Sequence, residues 1–438
     1  MFDVMNGIYR RFVIKNVRAL NPATGLDDWR DVLIEDGVVE LFEPGREDAA
    51  LAGRHTCHIN GDGLWLWPGL VDVHVHFREP GYEEKETICS GGRAALRGGY
   101  TAVVCEPNTN PPLDTAERIL MLSEGPAKET PIKIYFKAAM TEGRMGRRPV
   151  DVRSLAKLPE VVGLSDDGDP VVRKEIMEDV CGLAAEAGLP VVPHCEDSPN
   201  AISEYEKGVN PGFTPGPPFH NEANYVKRDL EVARYKGCRI HVSHLSLAES
   251  LGIVQAFRRE EGGEMVTFEV TPHHLVSFTE QQRSQIRVNP PLRDPGDREA
   301  LVAALQDKEV PVVASDHAPH TPAQKAGGAM GVIGLETTLG VVLTELVHSN
   351  VMRPLDAASV LSTRPAEIFG IEAGSLSSGG RADCVLIDPD EEWVVRGKEF
   401  ASMSQNTPYE GWKLRGRAVA TFVDGAMEYM AESVKNRI

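Results

Sequence analysis

Eight short apolar runs recur along the middle of the chain, each ending in a polar cluster. They are GLVDVHVHF (69–77), TAVVCEPN (101–108), KIYFKAAM (133–140), VVGLSDDG (161–168), PVVPHCED (190–197), RIHVSHLS (239–246), TFEVTPHHL (267–275) and VPVVASDHAPH (310–320). Amphipathic stretches with helical spacing fill several of the intervals: Lys85–Leu96, Val171–Ala187, Glu222–Tyr235, Leu247–Arg259 and Arg298–Gln306. Short Val- and Ile-rich runs alternating with such stretches predict parallel strands joined by helical crossovers. Eight of these units predict an α/β fold, a (β/α)8 TIM-like barrel.

The flanks follow another rhythm. Residues 8–66 and 381–427 alternate apolar and polar positions in short pieces broken by Gly and Asn, which reads as β-structure. Each segment is short for a closed core, so the expectation is one small β-sandwich side domain built from both chain termini, not two separate caps. The expected division is 1–66 plus 375–438 for that domain and 67–374 for the barrel. Gly208–Pro218 and Ala323–Gly334 are long for βα connections and are expected at the barrel mouth, where long loops carry function. The glycines of the second would let it move over that mouth.

A 42 % hydrophobic and 25 % charged composition is that of a soluble globular protein. No apolar run approaches the roughly 18 residues of a membrane span, and Asp3 and Asn6 interrupt the pattern a signal peptide would need. The expected compartment is therefore the cytoplasm. A formal charge of −19 argues against nucleic acid and against anionic membrane surfaces as partners. The seven cysteines are scattered with no C-x-x-C pair, which suits a reducing compartment and excludes a thiolate zinc site. Any metal should be held by nitrogen and oxygen.

Of the 13 histidines, nine close the predicted strands (His74, His76, His194, His241, His244, His273, His274, His317 and His320), the barrel face that carries active sites. In the first run, strand alternation sends Asp72, His74 and His76 one way and Val71, Val73 and Val75 the other, so two imidazoles can chelate one divalent ion. Asp316 ends the eighth run, where a carboxylate can both bind a metal and move a proton. Asp166 and Asp167 are neighbours on an extended strand, so only one can face inward. His241 against His244, and His273 against His274, pose the same choice, and alternation alone leaves all three open.

Five motifs together resemble the dihydroorotases, in their longer class I form within the amidohydrolase superfamily: DVHVHFREPG (72–81), EPNTNPPLD (106–114), HCED (194–197), VNPPLR (288–293) and SDHAPH (315–320). The resemblance runs from about residue 10 to the end, and the first two motifs in combination are its most specific part. It implies reversible, zinc-dependent hydrolysis of dihydroorotate to carbamoyl-aspartate, with one or two Zn2+ per chain. His74, His76 and Asp316 would hold one zinc, His194 and His244 a second, and Asp167 would lie between them with Asp166 turned away. Arg78, Asn108 and His320 would grip the substrate carboxylate, Asn289 would touch the substrate, and Asp316 would serve as general base and acid. Aspartate transcarbamoylase is an implied partner, and a homodimer is expected from base rates. Hydantoinases and allantoinases share single motifs, and they and several dihydroorotases bridge their metals through a carboxylated lysine on the fourth strand; a dihydroorotase subgroup uses aspartate instead. Here the fourth strand has no lysine, and Lys137 lies on the third. Related scaffold proteins have lost metal ligands that this chain retains. Glu106 stands where many relatives carry methionine, a departure the sequence does not explain.

Overall fold

The structure, a computed structural model, describes residues 11–45, 55–198 and 221–438. The Gly208–Pro218 stretch and His220 lie outside the described residues. Five strands precede the barrel: β1 (Arg11–Asn21), β2 (Leu26–Glu35), β3 (Val38–Phe42), β4 (Thr56–Asn60) and β5 (Trp65–Pro68). The barrel holds β6 (Leu70–Val75), β7 (Tyr100–Cys105), β8 (Lys133–Ala138), β9 (Val161–Leu164), β10 (Ile240–Val242), β11 (Val266–Val270) and β12 (Val312–Val313). Four strands follow it: β13 (Gly380–Arg381), β14 (Cys384–Val394), β15 (Lys413–Val423) and β16 (Ala426–Met430).

Strands β6 to β9 pair in parallel order, as do β10 to β12. Parallel bridges Leu164↔Val191 and Val191↔Ile240 join the two groups, and Val75↔His317 closes the ring. The eight predicted positions thus form a (β/α)8 barrel, with two of its strands much shorter than expected. In the fifth, Val191 and Val192 lie between Pro190 and Pro193, which have no N–H to extend a ladder. The two valine N–H groups still bond to Arg239 O (2.9 Å) and Leu164 O (2.7 Å). In the eighth, the Ser315 N–H leaves the ladder and donates to the Asp72 carboxylate (3.2 Å).

Asp72 also corrects the predicted alternation in the first strand. The pairing of β6 with β7 shifts register between Asp72 and Val75, and the His74 N–H donates to Asp72 Oδ1 (3.1 Å). Val71 and Val73 pack with Ala102, Val104, Val162, Val192, Val312 and Ala314 at the base of the barrel interior, which Phe369 and Ile371 plug. Only Val75 joins the helix-facing core. The extra residue of a β-bulge reverses side-chain parity beyond it, so valines fill the barrel below His74 and Asp72 ties the first strand to the eighth.

The helices lie close to their predicted spans: Ile88–Gly98, Lys174–Ala187, Asn221–Lys236, Ala248–Arg258 and Pro295–Gln306. The first starts three residues late because Thr87 and Ser90 form a capping box that fixes its N-terminus. Both chain ends meet in one nine-stranded sheet of order β13-β3-β2-β1-β5-β14-β15-β16, with β4 paired to β1. Phe12, Ile14, Leu66, Leu386 and Phe422 share its core. The sheet is tied to the barrel by Gly69 N–H to Asp383 O (2.9 Å) and Thr421 Oγ1 to Leu96 O (2.8 Å). Among the described residues, no helix is long and apolar enough to cross a membrane.

Candidate active site

The C-terminal ends of the barrel strands surround a cavity of about 250 Å³. Its lining brings together His76, Arg78, Asn108, Asp167, His194, His244, Asn289, Asp316 and His320, and His74 lies just beneath them. The residues that the resemblance selects from two of the three ambiguous pairs, Asp167 and His244, are the ones at the cavity. Asp166 turns away and accepts hydrogen bonds from Met140 N (2.9 Å) and Thr141 N (3.2 Å). His241 sits deeper in the barrel, between Thr267 Oγ1 (2.8 Å) and Glu269 Oε2 (3.2 Å).

Asp167 is the hub. Its Oδ1 lies 3.4 Å from His74 Nε2, 3.4 Å from His194 Nδ1 and 3.5 Å from His244 Nε2, and its Oδ2 lies 3.6 Å from His76 Nε2. Asp316 Oδ1 stands 3.2 Å from His76 Nε2 and 3.8 Å from His74 Nε2. Among the described residues, His74, His76 and Asp316 are close enough to share an ion, and so are His74, Asp167 and His244.

The outer contacts set which ring nitrogen carries the proton. His74 Nδ1 donates to Glu269, and His76 Nδ1 donates to Asn108 Oδ1 (2.9 Å), so both rings turn Nε2 toward the cluster. The Asn108 amide also donates to Asp167 Oδ2 (3.1 Å), orienting two members at once. Asn289 Nδ2 lies 3.1 Å from His194 Nε2. Glu269 went unnoticed in the sequence, although a glutamate alternating with Thr267 and Thr271 on a buried strand is the signal that could have found it.

Burial opposes charge on His74, yet Glu106, Glu269 and Asp167 outweigh it and hold the imidazole well above its usual range. Burial would raise Asp167, but His74, His194 and His244 hold it well below. For Asp316 too, burial is outweighed by the His76 hydrogen bond and the surrounding imidazoles, which keep it ionised. Glu106 pairs with Lys137 inside the barrel, where burial is again overcome by Glu106 and the lysine pKa rises. His74 Nε2 and Asp167 Oδ1 remain buried without a hydrogen bond. Buried carboxylates and lone pairs converging on unmatched atoms are the surroundings that a divalent cation satisfies.

Three cavity residues other than glycine hold positive φ: Arg78 (64°), His244 (32°) and Asp316 (46°). Such backbone costs about 1–3 kcal/mol per residue and persists where packing fixes it. Arg78 Nε donates to Pro319 O (3.3 Å), and its Nη2 lies 3.4 Å from His320 Nε2. Among the described residues, no carboxylate pairs with this buried guanidinium, and burial brings its pKa down to about 10. His320 is lowered to about 3 by burial and by Arg78, so it is neutral at physiological pH. Met330 and Gly331 of the 323–334 loop line the cavity. The loop is tied to the rest of the chain by Gly331 N–H, which donates to Arg287 O (2.8 Å), and by Asn406 Nδ2, which donates to Gly331 O (2.9 Å). Cys195, beside His194, is a packed thiol whose pKa burial and Asp229 raise well above the usual range.

A family profile described as "Amidohydrolase family" matches residues 65–427, so the chain carries the domain of an amidohydrolase, a class that is typically metal-dependent. Among solved structures, an L-hydantoinase (dihydropyrimidinase) from Arthrobacter aurescens superposes with a TM-score of 0.82 at 22% identity, over 96% of each chain. A dihydropyrimidinase from Brevibacillus agri NCHU1002 also gives 0.82, at 21% identity over 96% of this chain and 95% of that one. Likeness at that identity establishes the fold. In sequence the chain is 36% identical over 433 residues to a dihydroorotase of Geobacter sp. (strain M21), spanning 96% of this chain and 99% of that one. It is 34% identical over 429 residues to a dihydroorotase of Aquifex aeolicus (strain VF5), again 96% and 99%. The chain belongs to the dihydroorotases of the amidohydrolase family.

Proposed function

We propose that the cavity opens and closes the ring of dihydroorotate, yielding N-carbamoyl-L-aspartate, in the cytoplasm and with zinc as the metal. In this reading His74, His76 and Asp316 hold one ion, His194 and His244 a second, and Asp167 is shared. The observation that carries the reading is Arg78, a buried guanidinium without a carboxylate partner among the described residues, in the same cavity as the donor cluster. Its planar fork matches an exocyclic carboxylate. Neutral His320 and the Asn289 amide add hydrogen bonds that fix the ring in place.

A metal held by these residues would supply a water whose pKa is lowered from about 15.7 toward about 7 and a Lewis acid for the ring carbonyl. Asp316, held ionised, takes the proton of the attacking water and returns it to the departing ring nitrogen. The test is the rate of ring opening by zinc-loaded protein on dihydroorotate, hydantoin and allantoin in parallel. Turnover confined to dihydroorotate supports the carboxylate grip, and activity on the neutral ureides alone sinks it.

Two results are expected besides. Hydrolysis needs Asp316 ionised and ring closure needs it protonated. The protonated fraction that closure needs falls as pH rises, and the lowered pKa keeps it small at neutral pH, so closure has the lower pH optimum. Identical pH–rate profiles in the two directions would contradict this. Glu269→Gln removes the charged acceptor of His74 and His241 and should weaken metal retention by about 10–100-fold in chelator competition.

A further inference from the structure

Glu106 and Lys137 are charged residues of the barrel interior with no part in the reading above. Glu106 follows β7, where its N–H donates to Val75 O (2.9 Å), and its side chain is fully buried. One carboxylate oxygen, Oε1, accepts from Lys137 Nζ, which is also fully buried. The other, Oε2, has no hydrogen-bond partner. Glu106 Oε1 lies 3.7 Å from His74 Nε2, the nitrogen that is itself buried and unmatched. That separation falls between those of Asp167 (3.4 Å) and Asp316 (3.8 Å) from the same nitrogen. Two donors each about 2.0–2.1 Å from one tetrahedral ion stand about 3.4 Å apart. In its distance to His74 Nε2, Glu106 compares with Asp316, and of the two Asp316 also meets His76 (3.2 Å).

A purely structural Glu–Lys pair accounts poorly for these facts. A buried ion pair stabilises no better than apolar residues of the same size, and an oxygen left unmatched costs about 1–3 kcal/mol. Oε1 meets the ammonium and is also the oxygen nearest His74, so both costs are offset only if the carboxylate turns Oε2 toward a cation while Oε1 keeps the ammonium. Lys137 cannot itself be a donor, because its ammonium, bonded to Glu106, has no free lone pair.

We propose that Glu106 is a further carboxylate donor to the ion held by His74, with Lys137 as the positioning residue that aims it. The inference rests on the metal cluster of the preceding reading and adds a donor to it. It gives the third-strand lysine a task without carboxylation, since the carboxylate comes from the second strand and the lysine only steers it. The added negative charge should tighten metal retention.

The decisive measurement is a crystal structure of the wild-type protein loaded with Zn2+ or Co2+. A Glu106 oxygen about 2.0–2.2 Å from the metal supports the proposal, and one beyond about 3 Å overturns it. If no metal is found on His74 and His76, the preceding reading falls and takes this one with it, so the two failures are distinguishable. In solution, Glu106→Gln should retain metal at least tenfold less well in chelator competition and change the visible spectrum of bound Co2+. Lys137→Met should shift that spectrum in the same direction, and the double variant should go no further than Glu106→Gln alone. Thermal melts of the loaded variants identify any that fail to fold. A Glu106→Gln protein that folds and keeps the wild-type Co2+ spectrum overturns the proposal.

Discussion

Asp316→Asn is expected to bind carbamoyl-aspartate nearly as well as the parent protein while turning it over about 10²–10⁴-fold more slowly. The substitution suits the site sterically. Position 316 holds φ at 46°, a region that asparagine and aspartate enter more readily than other side chains with a Cβ. The amide keeps the volume of the carboxylate and still offers a carbonyl oxygen toward His76, 3.2 Å away. It cannot take up a proton at neutral pH. Arg78, His320 and Asn289 are untouched, so binding measured by calorimetry should hold within a few-fold while single-turnover rates collapse. A variant within tenfold of the parent rate would remove Asp316 from proton transfer.

Stripping the metal should abolish turnover and soften the fold, with both effects reversed by adding Zn2+ back. At a thousandfold excess of free metal over Kd, loss of the ion removes about 4 kcal/mol, enough to lower Tm by roughly 4–5 °C in a chain of this size. The effect depends on pH with a definite sign. Burial disfavours charge on His74 and His194, but the neighbouring carboxylates raise both, so protonated imidazoles partly replace the ion in the stripped protein. That substitute stabilisation is complete below the unfolded histidine pKa of about 6.5, and it is lost as pH rises through the raised folded values. The Tm gap between loaded and stripped protein should therefore widen from mildly acidic to alkaline pH. A chelated protein with unchanged rate and unchanged Tm would refute the metal centre.

The parts of this molecule that could be read from the chain are those set by local periodicity. The eight runs and the helices between them follow from spacing, and His74, His76, Asp167 and Asp316 sit where their runs end. The resemblance then chose between neighbours that alternation could not separate, and in the folded chain Asp167 and His244 face the cavity while Asp166 and His241 face elsewhere. What escaped depends on closing the ring. The bulge at Asp72 exists because the eighth strand lends its Ser315 N–H to the first, a contact between residues 243 positions apart. Glu106 looked anomalous because its partner, Lys137, stands on another strand, and the two meet only inside a finished barrel. Asn108, expected to reach the substrate, lines the cavity but also fixes His76 and Asp167, a double duty that no linear motif encodes.

The sheet shared by the two chain ends bears on how the protein is made. Strand β5 pairs on one side with β1, close in sequence, and on the other with β14, where Pro68 meets Cys384. At a synthesis rate of about 5–20 residues per second, the second partner is translated roughly 15–60 s after the first. Throughout that interval Trp65–Pro68 and the apolar face of β1 have no permanent cover on that side. An open strand edge invites pairing with other chains, so the nascent protein passes through a stage that calls for chaperone protection or rapid barrel closure. Ribosome-bound chains halted before residue 384 should therefore aggregate far more readily than those halted after residue 423.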